Sequence, residues 1–237
     1  MCNKFAQSSR WSKANVFRFA KSINEAPNRY NVSFTEGAMI ILKPGIDYTV
    51  EDAMFWLVPS WSPSLKAAFE FTTFNAKSET IFELKSFKEP ILHSRCIIPC
   101  DAIYESKGPS GNKQPYAIRM KDDEPFGMAG IYSRWTDPQT QESLQTFSII
   151  TTPANDLFAY YHDKKRMPVL LPPESYEVWL DEKINSKESI SQFFQTFPSE
   201  KMRAYPVPKQ ILSRNNRLQG ERCLEDISSL EKSESLF

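Results

Sequence analysis

The placement of apolar residues along the chain changes character three times. Residues 10–23, RWSKANVFRFAKSI, set Val16, Phe19, Ala20 and Ile23 at i, i+3, i+4 and i+7, the spacing of one helical stripe. Arg10, Lys13, Arg18 and Lys21 occupy the other faces of that helix. From about 30 to 152, short β-branched and aromatic runs take over: MIIL, FWLV, RCIIPC, YAIRM, FGMAGIYSRW and TFSIITT. KPG, GPSGNK and TDPQT separate them as turn signals, and GPSGNK reads as a hairpin loop. Helical patterning returns in PPESYEVWLDE, whose prolines mark a helix entry. It returns again in NSKESISQFFQTF, where Asn185 and Glu188 stand at capping-box spacing. Ile190, Phe193, Phe194 and Phe197 form the stripe of that helix, and Pro198 stops it.

These elements predict a single α+β domain over residues 1–221, mostly antiparallel β-sheet or open barrel flanked by helices. The stretch 222–237 is rich in Ser, Glu and Lys and reads as a weakly ordered tail. No internal repeat and no linker divides the chain.

Composition narrows the function classes. With 41% hydrophobic and 13% aromatic residues, the 237-residue chain can bury a sizeable core. Lys+Arg and Asp+Glu both count 29, so any nucleic-acid site must be a local patch. The first 30 residues hold no continuous apolar export segment, and runs such as AMIIL at 38–42 are far too short to span a bilayer. Together with four cysteines, Cys2, Cys96, Cys100 and Cys223, this predicts reduced thiols in a cytoplasmic protein.

There is no Gly-rich phosphate loop, no G-x-S-x-G elbow and no H-E-x-x-H, so no cofactor is expected. HSRCIIPC offers His93, Cys96 and Cys100 as metal ligands, but the spacing is not that of a zinc knuckle. A strand with buried thiols accounts for it better, and no metal is expected. His162 lies in AYYHDKKRMPVLL, an aromatic stretch followed by a basic cluster.

Cys2 carries the most distinctive chemistry. If Met1 is removed, residue 2 has a free α-amine of pKa about 7.7–8.0, against about 10.4 for lysine. Near neutral pH roughly a quarter of such amines are uncharged, against about one in a thousand lysines. A neutral amine attacks an aldehyde to give a Schiff base. The neighbouring thiol then adds to the imine carbon intramolecularly and closes a thiazolidine ring.

FWLVPSW (55–61), NAKSET (75–80), RCIIPCDAIYE (95–105), AGIYSRW (129–135), TFSIITTPAN (146–155) and HDKKRMPVLL (162–171) occur in that order behind Cys2. With YPV at 205 and NN at 215, this series resembles the SOS response-associated peptidase family of abasic-site processing proteins, from residue 2 to about 217. The resemblance implies loss of Met1, autoproteolytic in at least some members, and exposure of Cys2. It implies binding to single-stranded DNA and a reversible thiazolidine crosslink to the open-chain aldehyde of an abasic site, with β-lyase-type activity from the same chemistry. Residue by residue, it implies Cys2 as nucleophile, Asn75 as the group positioning the N-terminus, and Glu105 and His162 as proton-handling groups. Lys4, Lys77 and Arg166 match basic positions that face DNA phosphates. Trp61, and with it Trp56, is a candidate for stacking on bases or packing in the core. A monomer acting on single-stranded DNA with abasic sites is the expectation. Two other classes are a peptidase acting on external peptides and a non-covalent DNA reader.

The chain departs from the family pattern in places. Asn3 and Lys4 follow Cys2 where glycine and arginine are usual, and Ala102 and Ser106 replace a glycine and a tryptophan. The spacing in HDKKRMP is longer than usual, which shifts Arg166 relative to His162.

Overall fold

The computed structural model describes residues 3–20, 26–213 and 215–229. In chain order the strands are β1 (Lys4–Gln7), β2 (Arg29–Ser33), β3 (Gly37–Leu42), β4 (Thr49–Phe55), β5 (Asn75–Lys77), β6 (Arg95–Cys100) and β7 (Ala102–Lys107). They continue as β8 (Gln114–Met120), β9 (Phe126–Thr136), β10 (Ser143–Pro153), β11 (Arg166–Pro168), β12 (Leu170–Leu171) and β13 (Met202–Pro206). Short helices lie between them: α1 (Leu65–Phe69), α2 (Lys88–His93), α3 (Asp156–Tyr161), α4 (Tyr176–Trp179) and α5 (Lys187–Ser191). The expected α+β domain, mostly antiparallel with a barrel and flanking helices, is the architecture found.

Two β layers organise the molecule. One is an open sheet in the order β13-β8-β7-β1-β2. In the other, β4, β3, β6, β9 and β10 pair in sequence, and β10 pairs back onto β4, so the five strands form a closed ring. All the ring pairings are antiparallel except β10 with β4. β9 serves two neighbours at once, and Gly130 makes room for this: a Cβ there would stand 2.9 Å from Cys96 Sγ and 3.0 Å from the Ser148 carbonyl.

Period-two alternation sorts the side chains into three apolar regions. Phe5, Val32, Ile103 and Ile118 of the open sheet face Phe55, Phe74, Phe147, Ile149 and Phe158 across the gap between the layers. The Phe55 and Phe147 rings stack there at 5.1 Å. The far side of the open sheet, with Ala6, Ala102, Tyr104 and Ala117, is covered by Val207, Ile211 and Cys223. A third cluster joins Ile41, Ile97, Ile131 and Ile150 of the ring to Trp11, Phe17, Tyr176 and Trp179.

Arg95 lies buried at the start of β6. Its Nε donates to the Trp179 carbonyl at 2.7 Å, Nη1 to Ile91 and Leu92 at 3.0 Å each, and Nη2 to Asp181 at 2.7 Å. One guanidinium thus satisfies the last carbonyls of α2 and ties them to the end of α4.

Several expectations need correction. Residues 10–23 are not one helix: 3-10 turns cover Ser9–Lys13 and Asn15–Phe17, and Ala14 between them is extended at φ −71°, ψ 139°. The break lets both Trp11 and Phe17 reach the core. Ile23 lies outside the described residues. The helix after 185 starts one residue later, with Ser186 Oγ accepting from the Ser189 amide, and it ends at Ser191, before Phe193, Phe194 and Phe197 of the stripe. Ordered packing also runs past 222: Cys223 is fully buried and the Ile227 amide donates to the Pro206 carbonyl at 3.1 Å. GPSGNK does join the hairpin β7–β8, with Gly108 and Gly111 at φ 118° and 85°.

Candidate active site

Alternation along β7 decides where Glu105 goes. Ile103 faces the gap between the two layers, so Glu105, two residues on, shares that face and is carried into the same layer. From the other side, β5 pairs in parallel with β10, Asn75 beside Ile149. Ile149 faces the gap, so Asn75 does too. Both residues are buried, at 8% and 5% exposure. His162 arrives between the layers as the residue that ends α3. Asn155 caps that helix by accepting from the Phe158 amide at 2.9 Å, and α3 packs on β7.

His162 Nε2 lies 4.0 Å from Glu105 Oε2. On the other side of the ring, Nδ1 accepts from the Arg166 amide at 3.2 Å. A nitrogen that accepts a hydrogen bond carries no proton, so the neutral ring holds its proton on Nε2, the atom turned to Glu105. Burial raises the Glu105 carboxyl to about 8, so at neutral pH it is mainly the uncharged acid. Its Oε1 is buried and has no hydrogen-bond partner among the described residues. A neutral acid and an imidazole N–H thus face one another at a separation that lets a single oxygen atom lie within hydrogen-bond reach of both.

The basic and aromatic candidates are arranged differently from one another. Lys77 is exposed on the strand that carries Asn75, two residues further on and on the same face. Trp61 is 45% exposed, with Lys85 Nζ 4.2 Å from its ring centroid. Trp56 packs instead among Phe34, Phe69 and Phe74. Lys4 has the opposite parity to Phe5 and points to the far face of the open sheet, where Nζ contacts Asn31 Oδ1 at 3.4 Å. Its half-burial lowers the Lys4 ammonium to about 8. Arg166 is held in a bidentate pair by Glu79 and donates to the Thr151 carbonyl at 2.7 Å. The sequence therefore brings Asn75, Glu105 and His162 to one layer, with Lys77 beside them, and sends Lys4 elsewhere. Cys2 lies outside the described residues. Cys96 and Cys100 are buried on β6, consistent with their reading as strand thiols.

Sequence reasoning missed Tyr116 and Tyr161. Tyr116 stands opposite Glu105 in the β7–β8 register, and its ring lies 4.4 Å from that of Tyr161, the neighbour of His162. Only the strand register reveals this pair, since 45 positions separate them in the chain.

The family model described as SOS response associated peptidase (SRAP) matches residues 1–214. The chain belongs to the SRAP family. Among curated SRAP-like relatives, the abasic site processing protein YoqW of Bacillus subtilis is 31% identical over 221 residues, 91% of this chain and 96% of its own length. The abasic site processing protein YedK of Escherichia coli is 28% identical over 240 residues, covering 96% and 100%. A crystal structure of a Bacteroides thetaiotaomicron protein superposes with a TM-score of 0.80 at 33% identity, over 95% of this chain and 99% of that one. No helix among the described residues is long and apolar enough to cross a membrane.

Proposed function

We propose that this SRAP protein processes abasic sites in single-stranded DNA by forming a thiazolidine crosslink through Cys2 once Met1 has been removed. The observation that carries the reading is the buried pair of Glu105 and His162, a neutral acid facing an N–H across a gap of 4.0 Å. The register of β1 supports it. Phe5 pairs with Ile103 and Ala6 with Ala102, so the same register continued two residues back brings Asn3 level with Glu105. Asn3 is the residue bonded directly to Cys2 in the chain.

In this scheme Glu105 and His162 protonate the ring oxygen of the closed sugar as it opens to the aldehyde. The neutral terminal amine adds to the aldehyde carbon. The resulting carbinolamine loses its hydroxyl as water, with Glu105 giving the proton and the nitrogen returning one. The thiol of Cys2 then adds to the imine carbon and its proton passes to the ring nitrogen. One water leaves overall, and nothing is oxidised or reduced. Asn75 orients the amine without adding charge. Lys77 and Trp61 contact the strand, whereas Lys4 and Arg166 reach phosphates only by releasing Asn31 and Glu79.

The test is a denaturing gel, with intact mass measured before and after incubation with single-stranded DNA bearing an abasic site. The mature protein is expected to give a gel-stable band whose mass equals protein plus DNA less one water. Cys2→Ala, and protein that retains Met1, are expected to give no such adduct. An unchanged adduct in either sample refutes the assigned nucleophile.

A further inference from the structure

We propose that the strip of side chains running outward from Glu105 and His162 binds the nucleotide next to the abasic sugar on one side, with Tyr160 as its stacking surface and Lys107 as its phosphate contact. The inference deepens the proposed function and rests on it for the identity of the strand.

Two parallel rungs define the strip. Glu105 and Lys107 lie two residues apart on one face of β7, about 7 Å along the strand. Facing them, Tyr160 and His162 lie two residues apart at the end of α3. The inner rung is Glu105 with His162 at 4.0 Å. The outer rung is Lys107 with Tyr160, the ammonium 2.9 Å from the ring centroid. Tyr161 links the two: its ring meets Tyr160 edge-on at 4.8 Å and Tyr116 at 4.4 Å. An aromatic path therefore leads from the buried acid to solvent, where Tyr160 is 62% exposed.

The charge around the path fits a phosphodiester. Lys107 lies on it, Lys113 pairs with Asp163, the residue after His162, at 3.0 Å, and Lys164 and Lys165 follow Asp163 in the chain. A protein that tracks single strands combines cations for the backbone with rings for the bases, and this strip has both. An exposed cation–π contact is weaker than the stacking of a base on the ring. An incoming base can therefore displace Lys107 from Tyr160, and the released ammonium turns to the neighbouring phosphate. The outer rung lies about one backbone repeat of an extended strand from the inner one, so the base it receives is the immediate neighbour of the lesion.

The experiment uses oligonucleotides carrying a tetrahydrofuran abasic analogue, which has no aldehyde and cannot be crosslinked. Fluorescence anisotropy is read for three such strands: with nucleotides on both sides of the analogue, on the 5′ side only, and on the 3′ side only. Tyr160→Ala is expected to weaken binding about tenfold for the two-sided strand and for one of the one-sided strands, leaving the other unchanged. Lys107→Ala is expected to show the same sidedness and to reduce the slope of log K against log salt by about 0.7. Equal loss on both one-sided strands, no loss on either, or no binding by the wild type overturns the proposal. Failure of the crosslinking scheme shows itself separately, as a missing adduct with the aldehyde-bearing strand, and leaves the anisotropy result standing.

Discussion

Arg95 and Glu105 are both buried ionisable residues, on strands consecutive in the chain but in different layers, and the fold treats them in opposite ways. Arg95 spends its guanidinium on four backbone carbonyls. Burial lowers it only to about 10, so it stays charged at neutral pH. Glu105 has one oxygen with no hydrogen-bond partner among the described residues and the other 4.0 Å from an imidazole. It meets burial by giving up its charge. A buried polar group that is saturated by its own fold is structural. One that is left with open hydrogen-bonding capacity is poised for a partner from outside, and the two can be separated by experiment.

The largest effect is expected at the structural member. Arg95→Met leaves several buried carbonyls without donors and should cost about 3–5 kcal/mol in urea unfolding. Crosslinking per folded molecule should be unchanged well below the unfolding transition. A cost under about 1 kcal/mol breaks the comparison. Glu105→Gln should behave in reverse: adduct formation at neutral pH falls about a hundredfold, with no loss of stability.

The pH dependence sharpens this contrast. The Glu105 carboxyl is raised in the folded protein from an ordinary 4.5 to about 8, so the unfolded chain loses that proton first. Its contribution to stability is therefore fully present below about 4.5 and is lost as pH rises through about 8. Between pH 5 and 8.5 the wild type should lose roughly 2–4 kcal/mol relative to Glu105→Gln, read as diverging urea midpoints. Parallel midpoints would mean that the carboxyl is not held neutral. The smallest effect belongs to Lys77→Ala: two- to threefold weaker binding to intact single-stranded DNA and a salt slope lower by about 0.7.

Much of the fold around Glu105 is legible in the chain itself. The β-branched run RCIIPC announces a strand, and GPSGNK announces the turn that joins β7 to β8. The motifs around Asn75, Glu105 and His162 picked out three residues that the fold does bring to one layer. Arg95 gave no signal, because its partners are main-chain carbonyls of α2 and α4 that carry no side-chain signature. The ring closure of β10 on β4 was equally silent, being a pairing of residues about 90 positions apart. The stripe in 10–23 misled for a different reason. Helical spacing describes which residues could share a face, and an extended Ala14 buries Trp11 and Phe17 by another route. Lys4 shows the limit of motif matching: parity along β1 turns it away from the gap, whatever its charge suggests.

The turn after His162 has a consequence of its own. Its length lets the chain fold back so that the Lys165 amide meets the His162 carbonyl at 2.9 Å and the Arg166 amide meets the ring. Lys165 takes a left-handed backbone, φ 48°, to do so. The number of residues in this loop, rather than their identity, thereby selects which imidazole tautomer the protein presents. Shortening it by one lysine would unlock the ring to rotate or to hold its hydrogen on either nitrogen.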